Sequence, residues 1–91
     1  MTFVTAEQVR AFLLEYYSDF LEAAGFAGSE VPDGFDLLLE GVIDSLGVVE
    51  MVTAVSEHFG LSIDLTDLAP EDLTRIGPFT RFVAKYGKPL S

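Results

Sequence analysis

Ninety-one residues with fifteen acidic and five basic side chains, a formal charge of −10 and no cysteine suit one small domain with a modest core, and they exclude a disulfide framework, a thiolate metal site and a cysteine nucleophile. The charge argues against nucleic acid, whose phosphates reward Lys and Arg clusters, and in favour of partners with basic surfaces. The Met1-Thr2-Phe3-Val4-Thr5 start lacks a basic segment, and no apolar run approaches the ~20 residues of a membrane span, so a soluble, cytoplasmic monomer without membrane insertion is expected.

Thr5-Ala6-Glu7-Gln8 reads as a capping box, which opens a first helix of about residues 5–24. Val9, Phe12, Leu13, Tyr16, Tyr17 and Phe20 share one side of it, and Glu7, Gln8, Glu15, Ser18, Asp19 and Glu22 the other. Gly25 supplies the C-cap. The following stretch, with Gly28, Ser29, Pro32, Asp33 and Gly34, reads as a loop, and one this long in a small domain needs a reason. Phe35, Leu37, Leu38 and Leu39 suggest that its second half packs back on the core through one helical turn. Its task is then to deliver Asp44 to the end of the bundle.

A second helix is expected over 45–59. Asp44 is its N-cap, accepting from the N–H of Leu46 or Gly47. Ser45 thereby presents a hydroxyl at a helix N-terminus, where unpaired N–H donors and a partial positive charge favour an anionic phosphodiester. Val48, Met51, Val52, Val55 and Phe59 form a core stripe at about 100° per residue. Leu46, Val49, Glu50, Thr53 and Glu57 lie opposite, a face that mixes aliphatics with carboxylates where a purely structural helix would be more uniformly polar. We read that face as partner-binding.

After Gly60, Leu61-Ser62-Ile63-Asp64-Leu65 is a short connection, and a brief third helix over 69–73 has Pro70 at its first position. A last helix over 78–86 places Phe79, Phe82, Val83 and Tyr86 on one face. No alternating strand pattern stands out. The expected fold is all-α: a single domain, 1–91, forming a small four-helix bundle with a long loop between helices 1 and 2 and a short third helix.

Other chemistries fit poorly. His58 lies thirteen positions beyond Ser45 on the same helix, roughly 20 Å away at ~1.5 Å per residue, so the two cannot form a nucleophile and base. No Gly-x-Ser-x-Gly elbow is present. Asp64, Asp67, Glu71 and Asp72 lack the alternation and central glycine of a calcium loop. Neither a catalytic residue nor a metal site is assigned.

The segment Gly-Val-Ile-Asp-Ser-Leu-Gly-Val-Val-Glu-Met-Val-Thr-Ala-Val-Ser-Glu-His-Phe-Gly from Gly41 resembles the phosphopantetheine-attachment segment of acyl and peptidyl carrier proteins. The likeness extends upstream through Asp36 and Leu37 and downstream through Leu61-Ser62-Ile63, Pro70-Glu71-Asp72-Leu73 and Phe82-Val83, covering about residues 35–86. It implies that Ser45 carries 4′-phosphopantetheine, transferred from coenzyme A by a phosphopantetheinyl transferase, and that Asp44 caps the helix and is seen by that enzyme. The arm's thiol would hold acyl or aminoacyl groups as thioesters for fatty acid, polyketide or nonribosomal peptide biosynthesis. Further partners implied are an acyl- or aminoacyl-loading ligase and downstream acyl-transfer enzymes with basic docking surfaces, meeting Leu46, Val49, Glu50, Thr53 and Glu57. The chain itself would catalyse nothing.

Gly47 departs from the fatty-acid carriers, which have a polar residue there, and costs about 1 kcal/mol of helix propensity against alanine. Similar glycine-bearing segments occur in D-alanyl carriers and in stand-alone carriers of specialised biosynthesis. The alternative is an unmodified acidic helical adaptor that binds a partner's groove.

Overall fold

The computed structural model describes residues 4–26 and 31–89. Met1-Thr2-Phe3 of the opening segment and Gly28 and Ser29 of the loop lie outside the described residues. Four α-helices, α1 (Ala6–Tyr16), α2 (Ser18–Ala23), α3 (Ser45–Phe59) and α4 (Ile76–Tyr86), surround one core among these residues, with 3-10 turns at Leu65–Asp67 and Pro70–Asp72. The result is a small helical bundle, in which the turn led by Pro70 stands where the short third helix is expected.

The capping box forms as the residues dictate: Gln8 N–H donates to Thr5 Oγ1 at 3.1 Å and Thr5 N–H donates to Gln8 Oε1 at 2.9 Å. The helix it starts does not run unbroken to Ala24. Tyr17, at φ −105° and ψ 18°, leaves the helical region and separates α1 from α2. Periodicity could not reveal the break, because Val9, Leu13, Tyr17 and Leu21 keep four-residue spacing across it and are all buried. Phe20, mid-stripe by its spacing at about 100° per residue, is nonetheless 59 % exposed. Tyr16 is likewise half exposed, so neither ring belongs to the core as their spacing suggests. At the far end Gly25, at φ 91°, closes α2. Phe26 N–H donates to Leu21 O and Gly25 N–H to Glu22 O, the paired bonds of a Schellman motif.

α1 lies mainly against α4, and α3 leans on α1 and on residues 61–62. Leu13, Met51, Val55, Phe79 and Val83 are almost wholly buried where they meet. α4 begins at Ile76, earlier than Pro78, because Arg75 is extended and Pro78, which has no N–H, fits the first turn, where a backbone N–H has no intrahelical acceptor. Two strands also form, β1 (Leu61–Ser62) and β2 (Lys88–Pro89), antiparallel with Leu61 opposite Pro89. Two residues are too few to show alternation in a sequence.

The segment before α3 is stitched to the bundle by bonds to distant parts of the chain. The Arg10 guanidinium donates to Val31 O. Gly77 N–H donates to Asp33 O at 2.8 Å, Ile76 N–H to Phe35 O at 3.0 Å and Leu37 N–H to Thr74 O at 2.9 Å. Arg81 pairs with the Asp33 carboxylate at 2.9 Å. Phe35 and Leu37 are buried as expected, but Leu38 and Leu39 are exposed, on the one turn closed by Glu40 N–H to Asp36 O.

Candidate functional site

Ser45 occupies the first position of α3, and its geometry is set by the residue before it. Asp44 is extended (φ −104°, ψ −174°), its Oδ1 accepts from Gly47 N–H at 2.8 Å, and its carbonyl accepts from Val48 N–H at 3.2 Å. Capping therefore falls to Asp44, which leaves the exposed Ser45 hydroxyl uncommitted. The N–H groups of Ser45 and Leu46, in the first turn, have no intrahelical acceptor and point past the helix end. An oxygen offered to solvent beside such donors fits a phosphodiester.

What holds Asp44 there is a pair of backbone contacts. Val42 N–H and Ile43 N–H both donate to Leu37 O, at 2.9 and 3.1 Å, turning the chain sharply into α3. Asp36 fixes Leu37: its Oδ1 accepts from Leu38 N–H at 3.0 Å, Leu39 N–H at 3.1 Å and the hydroxyl of buried Thr74 at 2.7 Å. Burial would raise the Asp36 carboxyl's pKa, but the Thr74 hydroxyl, the two N–H groups and the Arg75 charge outweigh it and hold the group below the usual carboxylate range. Thr74 went unnoticed in the sequence. A hydroxyl that meets its carboxylate from 38 residues away leaves no local signal.

Gly47 is explained by space as well as by the helix. A Cβ on it would lie 2.9 Å from Ile43 Cβ, a backbone-anchored atom that cannot swing away, and 3.4 Å from Asp44 Oδ1. Gly47→Ala is therefore expected to lose stability by about 1 kcal/mol, although helix propensity alone predicts a gain of about that size. Urea denaturation of both proteins decides between the two signs.

All five residues assigned to partner contact, Leu46, Val49, Glu50, Thr53 and Glu57, are exposed, with Leu46 at 76 % and Val49 at 65 %. The structure thus leaves Asp44, Ser45 and these five open to solvent, with the five falling within about 100° of one another around α3. His58 is in the last turn, stacked on Phe12 with ring centroids 4.3 Å apart, a structural placement remote from Ser45. Among the described residues, no group of three or more His, Asp or Glu could hold a metal, and no helix is long and apolar enough to cross a membrane.

A cleft of about 380 Å³ lies between α1–α2 and the start of α3, lined by Tyr16, Tyr17, Phe20, Val42, Ile43, Asp44, Gly47 and Glu50. Burial, then the neighbouring Tyr16 and Glu50 charges, push the Tyr17 phenol up to about 12. The folded state thus prefers the neutral phenol, while the unfolded chain loses the proton near the ordinary value of about 10. Stability that is complete below pH 10 is expected to fall as pH rises toward 12, and Tyr17→Phe to flatten that part of the alkaline unfolding curve.

The family model described as the phosphopantetheine attachment site matches residues 17–82. No curated protein and no solved structure matches the chain. The matched span includes α2, the stitched segment, α3 and most of α4, and with it the exposed hydroxyl and its cap. The chain belongs to the family of carrier proteins that hold a covalent 4′-phosphopantetheine.

Proposed function

We propose that Ser45 Oγ is the attachment point and that the protein carries acyl or aminoacyl groups as thioesters between enzymes. One observation bears most of the weight: the only hydroxyl at the start of α3 is exposed, and a neighbouring carboxylate relieves it of capping. In the transfer, Ser45 Oγ attacks the pantetheine-side phosphorus of coenzyme A. The new O–P bond replaces the bond to the nucleotide, adenosine 3′,5′-bisphosphate leaves, and the hydroxyl proton passes to a base of the transferase. Asp44 holds Ser45 at the helix end during the attack, and the first-turn N–H groups stabilise the phosphodiester.

Once attached, the arm supplies a thiol, a function this cysteine-free chain does not have. A tethered acyl group is held at high effective concentration beside whichever enzyme docks. Leu46 and Val49, with Glu50 and Glu57 around them, form a small apolar contact with acidic flanks, which steers basic partners and still releases them. Those partners are a phosphopantetheinyl transferase, a loading ligase and acyl-transfer enzymes. The cytoplasm, where coenzyme A and such enzymes meet, is the proposed location.

Incubation of the protein with coenzyme A and a broad-specificity transferase, followed by mass spectrometry, tests the reading. The expected product carries one phosphopantetheine on the peptide containing Ser45. An unchanged mass, with a control carrier modified in parallel, would leave the unmodified adaptor as the better account.

A further inference from the structure

A groove runs between α1–α2 and α3, and the attachment chemistry makes no use of it. Its first part is the cleft of about 380 Å³ at Tyr16, Phe20, Gly47 and Glu50, and it adjoins a second part of about 420 Å³ that shares Tyr16 and Glu50 and reaches Ala54 and Glu57. Gly47 and Ala54 are seven residues apart but only about 20° apart around α3, so small residues give the groove depth at two points roughly 10 Å from each other. The Tyr16 and Phe20 rings, at 50 % and 59 % exposure, supply apolar surface from the α1–α2 side. Glu50 and Glu57, again about 20° apart, supply carboxylates from α3. Neither part is lined by Lys or Arg. Exposed Glu15 and Asp19 immediately precede the two rings and add to the negative field. Ser45 lines neither part, and at about 100° per residue it falls about 160° from Gly47 around the helix.

We propose that this groove holds a basic amphipathic helix of a partner protein, with apolar side chains against Tyr16 and Phe20 and Lys or Arg toward Glu50 and Glu57. The proposal deepens the docking part of the carrier reading by naming the element a partner presents, and it does not require Ser45 to be modified.

Three observations select this occupant. A groove between two helices offers no unpaired sheet edge, so an extended segment would leave its own N–H and C=O groups without partners, whereas a helix satisfies them internally. The two deep points match the rise between i and i+7 on a helix, which would seat one apolar residue over Gly47 and another over Ala54, with an i+3 residue between them. The sign of the charge requires a cationic flank on the partner. A second copy of this chain has the wrong sign: it carries −10, and its Arg10, Arg75 and Arg81 are engaged by Val31 O, Asp72 and Asp33.

The probe is a fluorescent alanine-based helical peptide with leucine at i, i+3 and i+7 and lysine on both flanks. A peptide of the same composition with the leucines scattered around the helix, and one with glutamate in place of lysine, serve as controls. Fluorescence polarisation at low salt is expected to show the patterned peptide binding about tenfold more tightly than the scattered one, a difference of about 1.4 kcal/mol, with no binding of the glutamate peptide. NMR shifts should centre on Tyr16, Phe20, Gly47 and Ala54. Phe20→Ser and Ala54→Gln, one on each wall, should each weaken binding by about fivefold or more, and Glu50→Gln should reduce its dependence on salt. Leu39→Ser, at an exposed apolar residue outside the groove, should change nothing, and circular dichroism checks that each variant keeps its helices. Equal binding of the patterned and scattered peptides, or shifts centred on Leu38 and Leu39, would overturn the groove and leave the carrier reading intact. A protein that binds the peptide but takes up no phosphopantetheine would sustain the groove and overturn the carrier.

Discussion

Ser45→Ala is expected to take up no phosphopantetheine under conditions that fully modify the parent protein. The substitution removes one oxygen and nothing that the fold uses, because Asp44 caps α3 and Ser45 is exposed. Stability should therefore change by no more than about 0.5 kcal/mol, the usual range for a surface substitution without a structural role. Mass spectrometry gives the modification and circular dichroism the helix content. Retained modification in the alanine variant would assign the arm to another hydroxyl. A lost helix signal would mean that Ser45 supports the fold in a way its exposure conceals.

Asp36→Ala should cost about 2–4 kcal/mol, a large share of the stability of a domain this small. The carboxylate accepts from two backbone N–H groups and from the Thr74 hydroxyl, which is buried and would be left without its acceptor. Urea denaturation measures the loss. Thr74→Val, which removes the hydroxyl but leaves the two N–H bonds, should cost about 1–2 kcal/mol.

Acid provides a separate check on the same contact. The Asp36 pKa is lowered in the fold, so its contribution is complete above the unfolded value of about 4 and is lost as pH falls through that value toward the folded one. Asp36→Asn should flatten this acid limb. An unchanged limb would show that other carboxylates govern acid unfolding.

Where a feature was legible in the sequence, its cause was local. The Thr5–Gln8 box, the Asp44 cap and the Gly25 terminator each close within five residues, so local sequence determines the bonds. The outward face of α3 was legible for the same reason, a regular helix converting spacing into direction. The break at Tyr17 was not, since the buried residues keep their register through it. Nor were the exposures of Tyr16, Phe20, Leu38 and Leu39, which depend on where neighbouring segments stop covering them. Gly47 looked like a weak point in a helix and proves to make room for Ile43, whose position depends on the turn around Leu37.

The stitching of residues 31–37 to Thr74, Ile76, Gly77 and Arg81 bears on the order of events during synthesis. The serine leaves the ribosome well before the residues that fasten the segment leading to it. A nascent chain that ends before Thr74 contains the whole attachment motif but lacks the carbonyl and hydroxyl that fasten Leu37 and Asp36 from afar, so the motif is expected to be held less firmly in it. A transferase that reads the shape of this segment is expected to prime such truncated copies more slowly than the intact fold.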